Sequence, residues 1–198
     1  MEKIKLGIAP TRRFCFSKED AHRFKDLILK KMKADERIEV IDIEDINEEG
    51  LLYDSVEDVD KIADKFIAAK VDAVFFPHCN FGTEDTVAKV AKKVGKPVLL
   101  WGPRDEDPLE DGSRLRDTQC GLFATGKILR RFNVKFTYIP NCTLDDPIFE
   151  RGFDTFLRAV SVVKAFQKIR ILQIAPRPAS FWTMMYNEGE LLEKFGIQ

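Results

Sequence analysis

Short β-branched runs alternate with amphipathic stretches along most of this 198-residue chain, and that alternation limits the fold more than any other feature. Strands followed by helices at such spacing build βαβ units around a parallel sheet. The runs are residues 3–9 (KIKLGIA), 38–43 (IEVIDI), 72–76 (DAVFF), 97–101 (PVLLW) and 134–139 (VKFTYI), with a sixth at 170–175 (RILQIA). Between them the apolar residues fall at helical spacing. Ser17, with Asp20 three residues on, opens a helix carrying Phe24, Leu27, Ile28 and Met32. Ser55 and Asp58 open a second, with Val59, Ile62, Ala63, Phe66 and Ile67 on one side. Thr83 is placed to N-cap a third, striped by Val87, Val90, Ala91 and Val94 and stopped by Gly95. A fourth helix is expected near 120–132, and Asp146 with Pro147 begins a long one bearing Phe149, Phe153, Phe156, Val160 and Val163.

Five such units in series predict an α/β fold for residues 1–145. The closest analogy is a flavodoxin-like doubly wound parallel sheet in three α/β/α layers, with strand order 2-1-3-4-5. Residues 146–198 are then a linking helix and the first βα unit of a second α/β domain, since one unit cannot bury its own faces. With 32 basic against 33 acidic residues the net charge is −1, which excludes the electrostatic footprint of a nucleic-acid or anionic-membrane binder. The 44% hydrophobic content, with 16 Phe, suits a soluble globular protein. Cys15, Cys79, Cys120 and Cys142 form no CxxC pair, and the opening MEKIKLGIAPTRR has neither a signal peptide nor a membrane span, so reduced thiols in the cytoplasm are expected.

In an open parallel sheet, ligands bind beyond the carboxyl ends of the strands. That rule selects residues 10–13, 77–84, 102–116 and 141–143. Arg12, Arg13, Arg104, Arg114 and Arg116 would bring forked donors for hydroxyl, carboxylate or phosphate oxygens, while Phe81 and Trp101 offer faces for the apolar side of a sugar ring. The bland counterpart is that these arginines pair with Asp105, Glu106, Asp107 and Asp111 to hold a loop. No GxGxxG or GxxxxGK[ST] follows the first strand, and PTRRF lacks the hydroxyl-rich, glycine-containing loop of a flavin phosphate site, so no cofactor is expected within the chain. His78 beside Cys79 invites a nucleophile reading, but neighbours leaving a strand point to opposite sides, and a structural Cys79 is the plainer account. His22 and His78 are the sole imidazoles, too few for a metal site.

The string PHCNFGTEDTVAKVAKKVGKPVLLWGPRDE, followed by RDTQCGLFATGKILRRF, resembles the N-terminal region of the L-fucose isomerase and L-arabinose isomerase family. GIAPTRR, FTYIPNC and RILQIAPRPASFWTMMYNEGELLEKFG resemble successive parts of the same family. The resemblance implies a ketol isomerase that interconverts aldoses and ketoses with a divalent cation, usually Mn2+. It also implies that the metal-binding carboxylates and histidine lie beyond this segment, leaving the chain catalytically incomplete. In the family this region packs over a neighbouring subunit's sugar pocket, which makes Arg12, Arg13, His78, Cys79, Asn80, Phe81 and Met185 the expected substrate-binding residues, with Trp101 and Gln119 adjoining them. Cys79 stands where fucose isomerases tend to carry tryptophan. Expected partners are a small-molecule sugar and either further copies of the chain or missing C-terminal catalytic domains. The alternatives are a stand-alone sugar-binding or regulatory module and a small flavin or redox protein.

Overall fold

The computed structural model describes residues 2–53, 55–167 and 169–198. Along the chain lie β1 (Ile4–Ile8), α1 (Lys18–Lys33), β2 (Ile38–Ile41), α2 (Val56–Ala68), β3 (Ala73–Pro77), α3 (Glu84–Val94), β4 (Val98–Trp101), α4 (Thr118–Arg131), β5 (Phe136–Tyr138), α5 (Pro147–Phe166) and α6 (Glu188–Phe195). The five strands form one all-parallel sheet in the order β2-β1-β3-β4-β5, the doubly wound arrangement expected from the sequence. Leu6 of β1 pairs with Ala73 of β3, and Val98 of β4 lies between Val74 and Phe136 of its neighbours.

The period-two pleat divides the core into two layers. Val74, Phe76, Val98 and Leu100 face one side, where Phe66 of α2, Val87 and Val90 of α3 and Leu129 of α4 complete a buried cluster. Phe75 faces the other side, where it meets Trp101 at 6.4 Å and Phe153 of α5 at 6.3 Å, with Phe149 stacked on Phe153 at 5.7 Å. Burying each such ring contributes about 2–3 kcal/mol, so the first half of α5 is as much a part of this core as the strands are.

Local signals set most of the helix ends. Ser17 Oγ accepts from the Asp20 amide at 3.1 Å and Ser55 Oγ from that of Asp58 at 3.3 Å, as their spacing predicts. Gly95 ends α3 at φ +63°. Thr83 departs from its expected capping bond: its hydroxyl is drawn to the hydroxyls of Thr11, at 3.1 Å, and Thr86. At α4 the cap comes from outside the helix. Asp105 accepts from the Thr118 amide at 2.9 Å and from its hydroxyl at 2.7 Å.

The chain divides into two compact units, Met1–Leu157 and Arg158–Gln198. In the second, Phe166 meets Phe195 edge-on at 5.5 Å. Residues 170–175, expected as a sixth strand, form no strand. The Ile171 amide bonds only the terminal Gln198 carbonyl, at 2.7 Å, and without a partner strand the ladder has nothing to form against. Leu172 and Ile174 are 86% and 92% exposed. Among the described residues no helix is long and apolar enough to cross a membrane. The twenty-residue α5 carries Glu150, Arg151, Asp154, Arg158 and Lys164.

Candidate functional site

Beyond the carboxyl ends of β1 and β3 the backbone continues to pair. The Thr11 amide donates to Pro77 O at 2.9 Å, the Cys79 amide returns a bond to Thr11 O at 2.9 Å, and the His78 amide reaches Trp101 O at 2.9 Å. This holds residues 11–13 against 78–82. Asn80, fully buried, fastens the two segments: its Oδ1 accepts from the amides of Arg13 (2.8 Å) and Gly82 (3.2 Å), and its Nδ2 donates to the carbonyls of Arg13 and Ser17, both at 3.3 Å.

The turn tolerates no extra atoms. Gly82 sits at φ +77°, and a Cβ there would lie 2.4 Å from His78 Nδ1; a Cβ on Gly121 of α4 would lie 1.8 Å from Phe81 O. Phe81 is thereby pressed outward. Its ring stacks on Phe16 at 5.4 Å with 10° between the planes, and the Arg13 guanidinium lies 4.5 Å over its centre. Arg13 also donates to Gly82 O at 3.0 Å and approaches Glu84 at 3.5 Å, its side chain 26% exposed. Phe14, beside it, is 77% exposed. The result is a half-buried platform of one guanidinium on two stacked rings.

His78 lies fully buried beneath this platform. Its Nδ1–H donates to Phe81 O at 2.7 Å, which leaves Nε2 a bare acceptor, with no hydrogen-bond partner among the described residues. Burial, reinforced by the charge of Arg13, brings its pKa down to about 4, so the ring is neutral at physiological pH. The Cys79 thiol is buried too, and burial pushes it up to about 12; it is no nucleophile.

Arg12 turns away from Arg13. It donates to both Glu49 oxygens, at 2.6 and 2.9 Å, and lies 5.0 Å over the Tyr53 ring. Burial alone would raise the Glu49 pKa, but Arg12 and Lys18, the latter at 2.8 Å, outweigh it and bring the carboxyl down to about 2. A depressed carboxylate stabilises the fold above its ordinary pKa of 4.5 and loses that contribution as pH falls toward 2. Urea midpoints measured from pH 5 to pH 2 should fall for the native chain and should fall less for Glu49→Gln, which starts lower.

The remaining expected residues are not on the platform. Trp101 is fully buried, its ring 4.4 Å from Phe149 and its Nε1 donating to Cys142 Sγ at 3.4 Å. Gln119 is exposed on the first turn of α4, its amide 3.4 Å from Asp105. Met185 belongs to the second unit and is 57% exposed. Among the rim arginines the loop-holding reading describes Arg116: fully buried, it donates to Glu106 at 2.9 Å and Arg104 O at 2.6 Å, with its guanidinium 3.9 Å over Phe24. Sequence reasoning passed over Phe14 and Phe16, although the alternation in RRFCF just after a strand was a usable sign.

A family model described as the fucose/sulfoquinovose isomerase N-terminal domain matches residues 7–167. Two curated relatives, sulfoquinovose isomerases of Priestia aryabhattai and Priestia megaterium, are each 24% identical to this chain over 144 residues, or 72% of its length. The matched segment spans 31% of each relative. The strand-end platform lies inside the matched region, and the chain belongs to the fucose/sulfoquinovose isomerase N-terminal domain family.

Proposed function

We propose that this chain is the substrate-recognising N-terminal part of an aldose–ketose isomerase, contributing sugar contacts and subunit assembly while the reacting groups lie elsewhere. The observation that carries this reading is the Arg13–Phe81–Phe16 platform at the strand ends. A guanidinium edge supplies donors for hydroxyl oxygens and an aromatic face suits the C–H side of a sugar ring. The platform is half-buried at the strand ends rather than sunk in the domain, with Phe14 exposed beside it, which suits a surface that closes over a pocket built by another part of the enzyme.

Isomerisation needs a base to move a proton between adjacent carbons. Beside the platform the titratable groups are occupied or closed off: Glu49 and Glu84 are engaged by arginines, and His78 is shut below the surface. Among the described residues no three His, Cys, Asp or Glu side chains converge to hold a cation, so the chain's own groups do not fit the divalent metal that the family resemblance implies. These residues bind and orient; proton transfer belongs to groups outside them. Residues 146–198, in this reading, are a linking helix, its first half packed in the core of the first unit, and one βα unit of a second domain, for which the exposed Leu172 and Ile174 are the support.

Arg13→Ala in the assembled isomerase should raise KM for the sugar about tenfold or more with the unfolding midpoint nearly unchanged, since its pairing with Glu84 is long and half-exposed. Arg12→Ala should instead lower the midpoint, because it strips Glu49 of a two-pronged partner. An unchanged KM in Arg13→Ala, together with no sugar binding by the chain in calorimetry, would overturn the assignment.

A further inference from the structure

The chain carries almost no net charge, yet its charges are sorted. Residues 118–144, which span α4 and β5, contain Lys127, Arg130, Arg131 and Lys135 and not one carboxylate. Residues 105–111 (DEDPLED) contain five carboxylates and no cation. Each block has a shape. Between the second half of α4 and β5 lies a groove of about 400 Å3 with Phe123, Phe136 and Tyr138 along it and Lys127 and Arg130 at its rim. Phe123 is 62% exposed and Tyr138 38%. β5 is the outermost strand, so one edge of its backbone is unpaired as well. None of the four cations makes an ion pair among the described residues.

The acidic block is a finger with a fixed base. Asp105 is spent on the first turn of α4 and Glu106 on Arg116 and Arg23. The tip turns back on itself through the Gly112 amide to Leu109 O (2.8 Å) and the Leu109 amide to Ser113 O (2.9 Å). Leu109 stands 48% exposed at that tip between Asp107 and Glu110, neither of which has an ion pair among the described residues. Leu109 is not among the residues that line the groove.

We propose that the acidic finger of one copy of this chain docks in the α4–β5 groove of a second copy, Leu109 entering between the rings while Asp107 and Glu110 meet Lys127 and Arg130. Apolar anchor and charged rim then match in kind and in sign. Finger and groove are different patches, so two copies can exchange them reciprocally about a twofold axis, each finger in the other's groove, or pass them head to tail around a closed ring. This gives the assembly part of the proposed function a surface. Its test reads mass instead of sugar turnover, so either can fail alone.

Sedimentation and light scattering on the full chain should show a species of two or more copies at low salt that dissociates as salt rises. Lys127→Glu/Arg130→Glu should weaken association tenfold or more, and so should Asp107→Lys/Glu110→Lys, all four positions being exposed. Mixing the two variants, so that unlike copies alternate and every finger meets a groove of opposite sign, or combining all four changes in one chain, should restore association. A monomeric native chain would overturn the proposal. So would a folded charge-reversed variant of unchanged mass, or mixed variants that stay apart with circular dichroism showing both folded. Assembly only upon adding an acidic peptide would likewise overturn it and give the groove to a different partner.

Discussion

Taking the chain from pH 7 to pH 4 should cost about 3 kcal/mol of stability through His78 alone. The ring is fully buried, donates from Nδ1 to Phe81 O and presents Nε2 to no donor or acceptor among the described residues. Protonation would create a cation in a dry pocket, with a new N–H and nothing to receive it. A folded-state pKa of about 4 against an ordinary 6.5 means that the unfolded chain takes up the proton first. The contribution is therefore complete above pH 6.5 and drains away as pH falls toward 4, a window lying above the one in which Glu49 acts. Urea denaturation in steps across that range should give a falling midpoint for the native chain and a nearly flat one for His78→Gln. Parallel slopes for the two would mean that water reaches Nε2 in solution.

Local chemistry was legible and distant chemistry was not. The caps at Ser17 and Ser55 join residues three apart, so the sequence window contains the whole bond. Thr83 looks like the same case, yet its hydroxyl answers to Thr11, 72 residues away, and the cap of α4 comes from Asp105, 13 residues upstream in a loop. The βα units followed from the spacing of β-branched runs, while the sheet order came by analogy with flavodoxin-like folds, right-handed crossovers leaving few topologies for five such units. Run 170–175 has the same composition and forms no strand, since composition supplies a willing strand and only a neighbour supplies the ladder. The site divides in the same way. Topology alone drew Arg13, Asn80 and Phe81 to one rim, but the separation of Arg12 from Arg13 depends on Glu49, 37 residues on, which no spacing signalled. Trp101 closes β4 with its indole on the α5 side of the sheet, a direction fixed by the pleat and by Phe149.

Asn80→Ala should lower stability by about 2–4 kcal/mol, the largest loss expected from any single truncation on the rim. Asn80 satisfies four backbone groups in a place with no solvent exposure, and each buried donor or acceptor left open costs on the order of 1 kcal/mol or more. Asn80→Asp is no milder: two carboxylate oxygens can still accept from the Arg13 and Gly82 amides, but where the amide nitrogen donated, a negative oxygen now faces the carbonyls of Arg13 and Ser17. That variant should recover part of its loss in mild acid, where a protonated carboxyl can donate again, whereas Asn80→Ala should not. The functional consequence separates Asn80 from Arg13. Losing the Arg13 side chain removes one contact from an intact platform; losing Asn80 frees residues 13–17 from 80–82, and with them the stacking of Phe16 on Phe81. Hydrogen exchange at the amides of residues 13–16 should rise about tenfold or more in Asn80→Ala and stay near native in Arg13→Ala, with sugar affinity reduced in both. Native exchange in Asn80→Ala would mean that strand pairing through Thr11 and Cys79 holds the rim without it.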